Sequence, residues 1–291
     1  MEDDTIQRVQ KSDFFSIMLD ETTDVSVEEQ LTLNCRFLDE SGQLSVKFLK
    51  IIQPLNSKSN DEPNHLPTVS LNAETIARHV TSYFAEYGLN FDNLVGIGTD
   101  GAAVMTGKHN GVVKRLQQVA TSAIGIHCCA HRLQLASTQA ASSVPFVKKF
   151  TTIVRQLYDY FNNSAVRMAG LHAVQTALDQ SVLNPIEPSS TRWLSMEASV
   201  RRLKDTFVSV LISLEREGEE RGDAKAIGLF HLMSTYRFIS TMLLLCDLLP
   251  HVSNLSKALQ ASDFEHSLVK PLVSSTVSTL RQLKTVDGEN L

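Results

Sequence analysis

The chain has 291 residues, which suits one large domain or two ordinary ones. Hydrophobic residues make up 43% and charged residues 20%, so a real core is available and global disorder is excluded. A net charge of -5 excludes a polybasic nucleic-acid binder, and four cysteines are too few for a disulfide scaffold, which points to a reducing compartment.

The N-terminus, MEDDTIQ, is acidic with no apolar stretch behind it and does not read as a secretory signal. Phe14 to Leu19 is a short apolar run ending in an acidic cluster, and its length predicts a buried strand. Leu31, Leu33, Cys35 and Phe37 occupy every second position, the period of a half-buried strand. Asp39 to Gly42 reads as a tight turn, and Leu44, Val46 and Phe48 restart the alternation, so a hairpin is expected. Residues 53–71 carry three prolines and read as a long loop. Asn72 can cap a helix whose apolar positions are Ala73, Ile76, Ala77, Val80, Tyr83, Phe84 and Tyr87, with Gly88 ending it. Leu94 to Gly98 is a fourth strand, running into Thr99-Asp100-Gly101. Gly107 to Val119 looks helical, Ile124 to Cys128 is a fifth strand, and a helix starts near His131.

After about residue 144 no strand is expected. Val200, Leu203, Phe207, Val210, Leu211 and Leu214 keep one helical face. Ile227 to Leu249 and Leu268 to Leu283 also read as helical, with a break or kink near Pro271, and Pro185 and Pro188 mark a loop. The longest apolar run, Phe238 to Pro250, spans about half a membrane and contains Asp247, so it reads as a buried helix. The expected fold is α/β, a mixed sheet over residues 1–143 followed by an all-α insertion over 144–291.

Asp20 ends the first strand and Asp100 the fourth, where sites form in α/β sheets. In an RNase H-like strand order these strands are neighbours, and two carboxylates could share a hard divalent cation. Each Asp alone is equally a turn or cap residue. His127, Cys128, Cys129 and His131 crowd together, but a tetrahedral zinc site would need a second ligand pair that no spacing supplies. A buried strand-to-helix junction is the simpler expectation for them. Trp193 is the only tryptophan and is either a helix-packing aromatic or, beside Arg192, a stacking platform for a base.

The segments FFSIMLDETTDVSVEEQLTL, GIGTDGAAVMTGKHNGV, HCCAHRLQLA and TRWLSMEASVRRL occur in that order. Together they resemble the hAT superfamily of DDE transposases, and more closely its domesticated zinc-finger-protein-like relatives with a DUF4371-type core. The resemblance implies an RNase H-like sheet with a helical insertion and divalent-metal-dependent DNA cleavage and strand transfer in a complete protein. It implies that Asp20 and Asp100 are the first two catalytic carboxylates, binding Mg²⁺ or Mn²⁺. Cys128 and His131 would hold the DNA end, with His131 orienting the scissile strand, and Arg192 and Trp193 would contact DNA. It also implies a nuclear location, DNA as partner and a homodimer through a C-terminal segment. The family's third carboxylate, a Glu beyond the insertion, has no counterpart: Glu265 and Glu289 lack the matching context. The chain therefore reads as the front of a catalytic domain with part of its insertion, inactive as it stands. The alternative is a domesticated nucleic-acid- or protein-binding scaffold without catalysis.

Overall fold

The computed structural model describes residues 2–23, 29–52, 72–188, 193–261, 263–286 and 288–290. The expected loop at 53–71 and Arg192 lie outside them. The chain divides into two compact units, residues 1–132 and 133–291.

The first unit opens with a helix that the sequence reading did not anticipate, α1 (Glu2–Lys11). Among its described side chains Ile6 and Val9 alone are buried, too sparse a stripe to stand out among its charges. Five strands follow in the expected order: β1 (Phe15–Thr23), β2 (Glu29–Leu38), β3 (Leu44–Ile52), β4 (Leu94–Thr99) and β5 (Ile124–His127). The sheet order is β3-β2-β1-β4-β5. β1, β2 and β3 form an antiparallel meander, and β4 and β5 join β1 in parallel. This is the mixed sheet expected for the RNase H-like class.

The β2–β3 turn is built around Asp39. Its Oδ1 accepts from the Ser41 hydroxyl at 2.6 Å and from the Ser41 and Gln43 backbone N–H groups at 3.0 Å. Gly42 takes the left-handed conformation at φ 76° that the bulged turn requires.

Alternation sorts the sheet into two faces. Phe15, Ile17 and Leu19 of β1 are buried with Leu31, Leu33, Cys35 and Phe37 of β2 and Ile97 of β4. Helix α2 (Ala73–Glu86) covers them with Ile76, Val80 and Phe84. It is capped as expected, Asn72 accepting from the Thr75 N–H at 2.9 Å, and Gly88 follows it at φ 60°. The helix expected over 107–119 is shortened to α4 (Val112–Leu116), and a short helix that was not expected, α3 (Ala103–Thr106), precedes it. A Cβ at Gly111 would stand 2.5 Å from the Gly107 nitrogen and one at Gly107 2.8 Å from the Ala103 carbonyl oxygen, so both glycines are needed where the chain folds back between the two helices.

Helix α5 (Cys129–Ser142) contains the division between units and has no buried residue. The second unit is helical among its described residues. It comprises α6 (Pro145–Asn162), α7 (Ala165–Ala177), α8 (Trp193–Asp205), α9 (Phe207–Arg221), α10 (Ala224–Met233), α11 (Tyr236–Leu259) and α12 (Val269–Gln282). Its core gathers Phe150, Leu157, Phe161, Val200, Leu214, Met233 and Phe238. Phe238 lies 4.7 Å from Phe150 and stacks on Phe207 at 6.3 Å, by ring centroids.

No break occurs at Pro271. It falls in the first turn of α12, where a missing N–H costs no intrahelical bond. α11 is long and apolar enough to cross a membrane by length and composition alone. It buries Phe238, Met242, Leu245, Leu249 and Leu255, and with them Asp247. That carboxylate accepts from the Asn290 backbone N–H at 3.2 Å and from its side-chain amide, and Lys204 donates to the same Asn290. Gly288 lets this tail approach, since a Cβ there would overlap the carboxylate.

Candidate functional site

The candidate site is the carboxyl end of the three parallel strands. Leu19 of β1 pairs with Thr99 of β4, and Thr99 with His127 of β5. One residue further on stand Asp20, Asp100 and Cys128, so the two aspartates follow the last register pair of adjacent strands. The ladder continues past β5, the Cys128 N–H donating to the Thr99 carbonyl at 2.8 Å.

Parity sorts the residues of β1 and β4 between the two faces of the sheet. Ser16, Met18 and Asp20 alternate with the buried residues of β1. Gly96 and Gly98 lie opposite Ser16 and Met18, and a Cβ at Gly96 would press on the Ser16 side chain. Asp100 follows Gly98 by two residues, one position past the end of β4. The two glycines are thus part of the site's floor, bare because β1 side chains lean over them.

Asp20 is exposed, and the Thr32 hydroxyl donates to its backbone carbonyl at 3.0 Å. Asp100 is half-buried, and its Oδ1 accepts from the Ala102 N–H at 3.1 Å. The turn role considered for an aspartate at this position is therefore real, and it fixes the carboxylate at the strand end.

The Cys-x-x-His block begins at the same edge. Cys128 is exposed, not buried as expected of the junction, and Cys129 and His131 are half-buried. The His131 ring lies 5.6 Å from that of His127, tilted by 40°. His127 enters the sequence analysis only within the zinc set that lacks a second ligand pair. Its ring fills the space where a Cβ of Gly101 would stand, directly behind Asp100. Its Nε2 is covered and has no hydrogen-bond partner among the described residues. Burial, aided by the charges of His131 and Arg132, holds its pKa below the ordinary histidine value, while Asp100 partly offsets this.

Trp193 opens α8 in the helical unit, Arg192 lies outside the described residues, and Glu265 is exposed in the segment between α11 and α12. Among the described residues no group of three or more His, Cys, Asp or Glu side chains could hold a metal ion. Mg²⁺ is held through carboxylates that leave room for water and phosphate, and two-ion sites need ligands for both ions. Asp20 and Asp100 do not complete such a set.

Residues 3–111 match one protein family, described as DUF4371, the ZMYM1/FAM200 RNase-like domain. The match runs from α1 through α3 and includes both aspartates. It stops before β5, so Cys128, His131 and the helical unit stand outside it. The sheet unit is thus similar to that RNase-like domain over residues 3–111, a stretch that holds four of its five strands.

Proposed function

We infer that the RNase-like domain descends from a hAT transposase core and that its strand-end carboxylates mark the place where a nucleic-acid backbone is met. The observation that carries this reading is the register. Asp20 and Asp100 follow directly on the last pair of two adjacent parallel strands, inside the stretch that matches the RNase-like family. Two carboxylates repel a phosphodiester unless a divalent cation intervenes, and such a cation, when bound, polarises the phosphoryl oxygens. The chain's own part would be to hold Asp100 through its turn and to present His131 and Cys128 at the edge beside it. Because the described ligands fall short of a full set, no cleavage step is assigned to this chain. It is proposed as catalytically inert, in the nucleus, with DNA as the partner of the full-length protein.

Calorimetry with Mn²⁺ tests the shared site. Weak binding in the native chain should vanish in both Asp20→Asn and Asp100→Asn. Binding that survives both substitutions would remove the carboxylates from the proposal. Incubation of a labelled DNA duplex with the chain and Mn²⁺ should leave it uncut; nicking that is lost in Asp100→Asn would replace the inert reading with a catalytic one.

The incomplete ligand set also favours a second reading, a domesticated module that binds nucleic acid or protein without chemistry. It predicts DNA binding, read by fluorescence anisotropy, that is unchanged by Asp20→Asn and weakened by Trp193→Ala.

A further inference from the structure

The acids of this chain are unevenly spread. Across Leu133–Tyr158 and again across Ala224–Cys246 there is no Asp or Glu, against 32 in the whole chain. The two stretches supply most of α6, all of α10 and the first half of α11. These helices pack together, α10 on both α6 and α11, with Phe150 of α6 against Phe238 of α11. Packing thus gathers the acid-free sequence into one region of the helical unit.

That region carries exposed cations, Lys148 and Lys149 on α6 and Arg237 on α11. Among the described residues none of the three has a carboxylate partner. Asp159 comes ten residues after Lys149 and Asp247 ten after Arg237. That is about 15 Å along either helix, beyond the roughly 10 Å over which exposed charges act in salt.

Arg237 is held in place. Its guanidinium lies over the Phe146 ring, 4.2 Å from the centroid, which orients the group without neutralising it. Lys149 stands three residues beyond Phe146, the spacing that puts both on one side of α6. Tyr236, beside Arg237, is 86% exposed. Thr235 caps α11, accepting from the Phe238 N–H at 3.2 Å, and so fixes the backbone that presents Tyr236. Tyr236, Arg237, Ser240, Thr241 and Leu244 line an open groove of about 390 Å³, and none of them is a carboxylate. A bare aromatic ring, an oriented guanidinium and uncompensated ammonium groups suit a base with its flanking phosphates. An acidic peptide would use the charges and leave the ring idle, and a duplex keeps its bases stacked on one another.

We propose that this face binds single-stranded nucleic acid, with Tyr236 stacking on a base and Arg237, Lys148 and Lys149 meeting phosphates. The site does not depend on the strand-end reading above, since it uses neither aspartate nor a bridging cation.

Fluorescence anisotropy with a labelled oligothymidylate of about 20 nucleotides, longer than one such site needs, tests it in EDTA. The native chain should bind, and three phosphate contacts give a log–log salt slope of about −2. Arg237→Glu with Lys149→Glu should weaken binding about tenfold or more and flatten that slope. Tyr236→Ala should weaken the single strand about fivefold and leave duplex binding unchanged. All these side chains are exposed, so the melting temperature should hold. Should the Arg237 variant fail to fold, Lys148→Glu with Lys149→Glu reverses two charges without touching the Phe146 contact. A native chain that does not bind in EDTA would overturn the proposal. So would full affinity in a folded charge-reversed variant, or equal competition by polyglutamate of matched charge. Mn²⁺ binding at Asp20 and Asp100 is read separately by calorimetry, so either site can fail while the other stands.

Discussion

Gly101 and His127 occupy one space, and that is the tightest constraint at the candidate site. A Cβ at residue 101 would overlap the imidazole, so Gly101→Ala must displace either the ring or the Asp100 turn. Gly101→Ala is expected to lower stability by about 1–3 kcal/mol, the usual cost of overpacking. Adding His127→Ala to the same chain should recover most of that loss. Urea melts of the two single variants and the double variant measure the coupling, and simple additivity would mean that the overlap is relieved elsewhere. The pair was not legible in the sequence, because it depends on the β4–β5 register, which no local pattern encodes. Asp20 and Asp100 were legible, since each ends an apolar run of strand length and a strand end is where an exposed acid belongs.

Helix ends in the second unit depend on single polar residues. Asp223 caps α10, accepting from the Lys225 N–H at 2.9 Å, and also binds the Tyr160 hydroxyl and Arg167 at 3.0 Å. Burial alone would raise its pKa. The hydrogen bonds from Tyr160, Ala226 and Lys225 and the Arg167 charge outweigh that and hold it below the usual carboxylate range. A carboxyl depressed in the folded state stabilises above its unfolded pKa of about 3.9 and loses that contribution as pH falls through the lower folded value. Asp223→Ala should cost about 2–3 kcal/mol near neutral pH, a cap plus charged hydrogen bonds, and the deficit should shrink under acid. Thermal melts at pH 7 and at pH 3 read both effects. Elements of this kind separate what the sequence conveyed from what it hid. The period-two strands, the Asn72-capped α2 and the strand-free second half followed from spacing. The separation of α9 from α8 at Thr206 and of α11 from α10 at Thr235 did not. Both fall inside runs whose apolar spacing continues unbroken across them.

Across the whole molecule the four thiols report on packing in both units. All four are free: Cys128 is exposed, Cys129 and Cys246 are half-buried, and Cys35 sits in the sheet core. Burial pushes Cys35 up to about 12 and Cys246 to about 11, so neither supplies thiolate at neutral pH. A colorimetric thiol reagent should therefore label one cysteine quickly in the native chain. Cys128→Ser should remove that fast phase, and Cys35 should react only after unfolding. Rapid reaction at Cys35 in the native chain would mean that the sheet core opens readily.

The contact at Asn290 seals a charge inside the helical unit. Asp247 is the one acid that α11 buries, and among the described residues its partners come from the last few positions. Without Asn290 that carboxylate would be an uncompensated charge in an otherwise oily helix. Asn290→Ala should therefore lower the melting temperature, and an unchanged melt would mean that Asp247 is satisfied in another way.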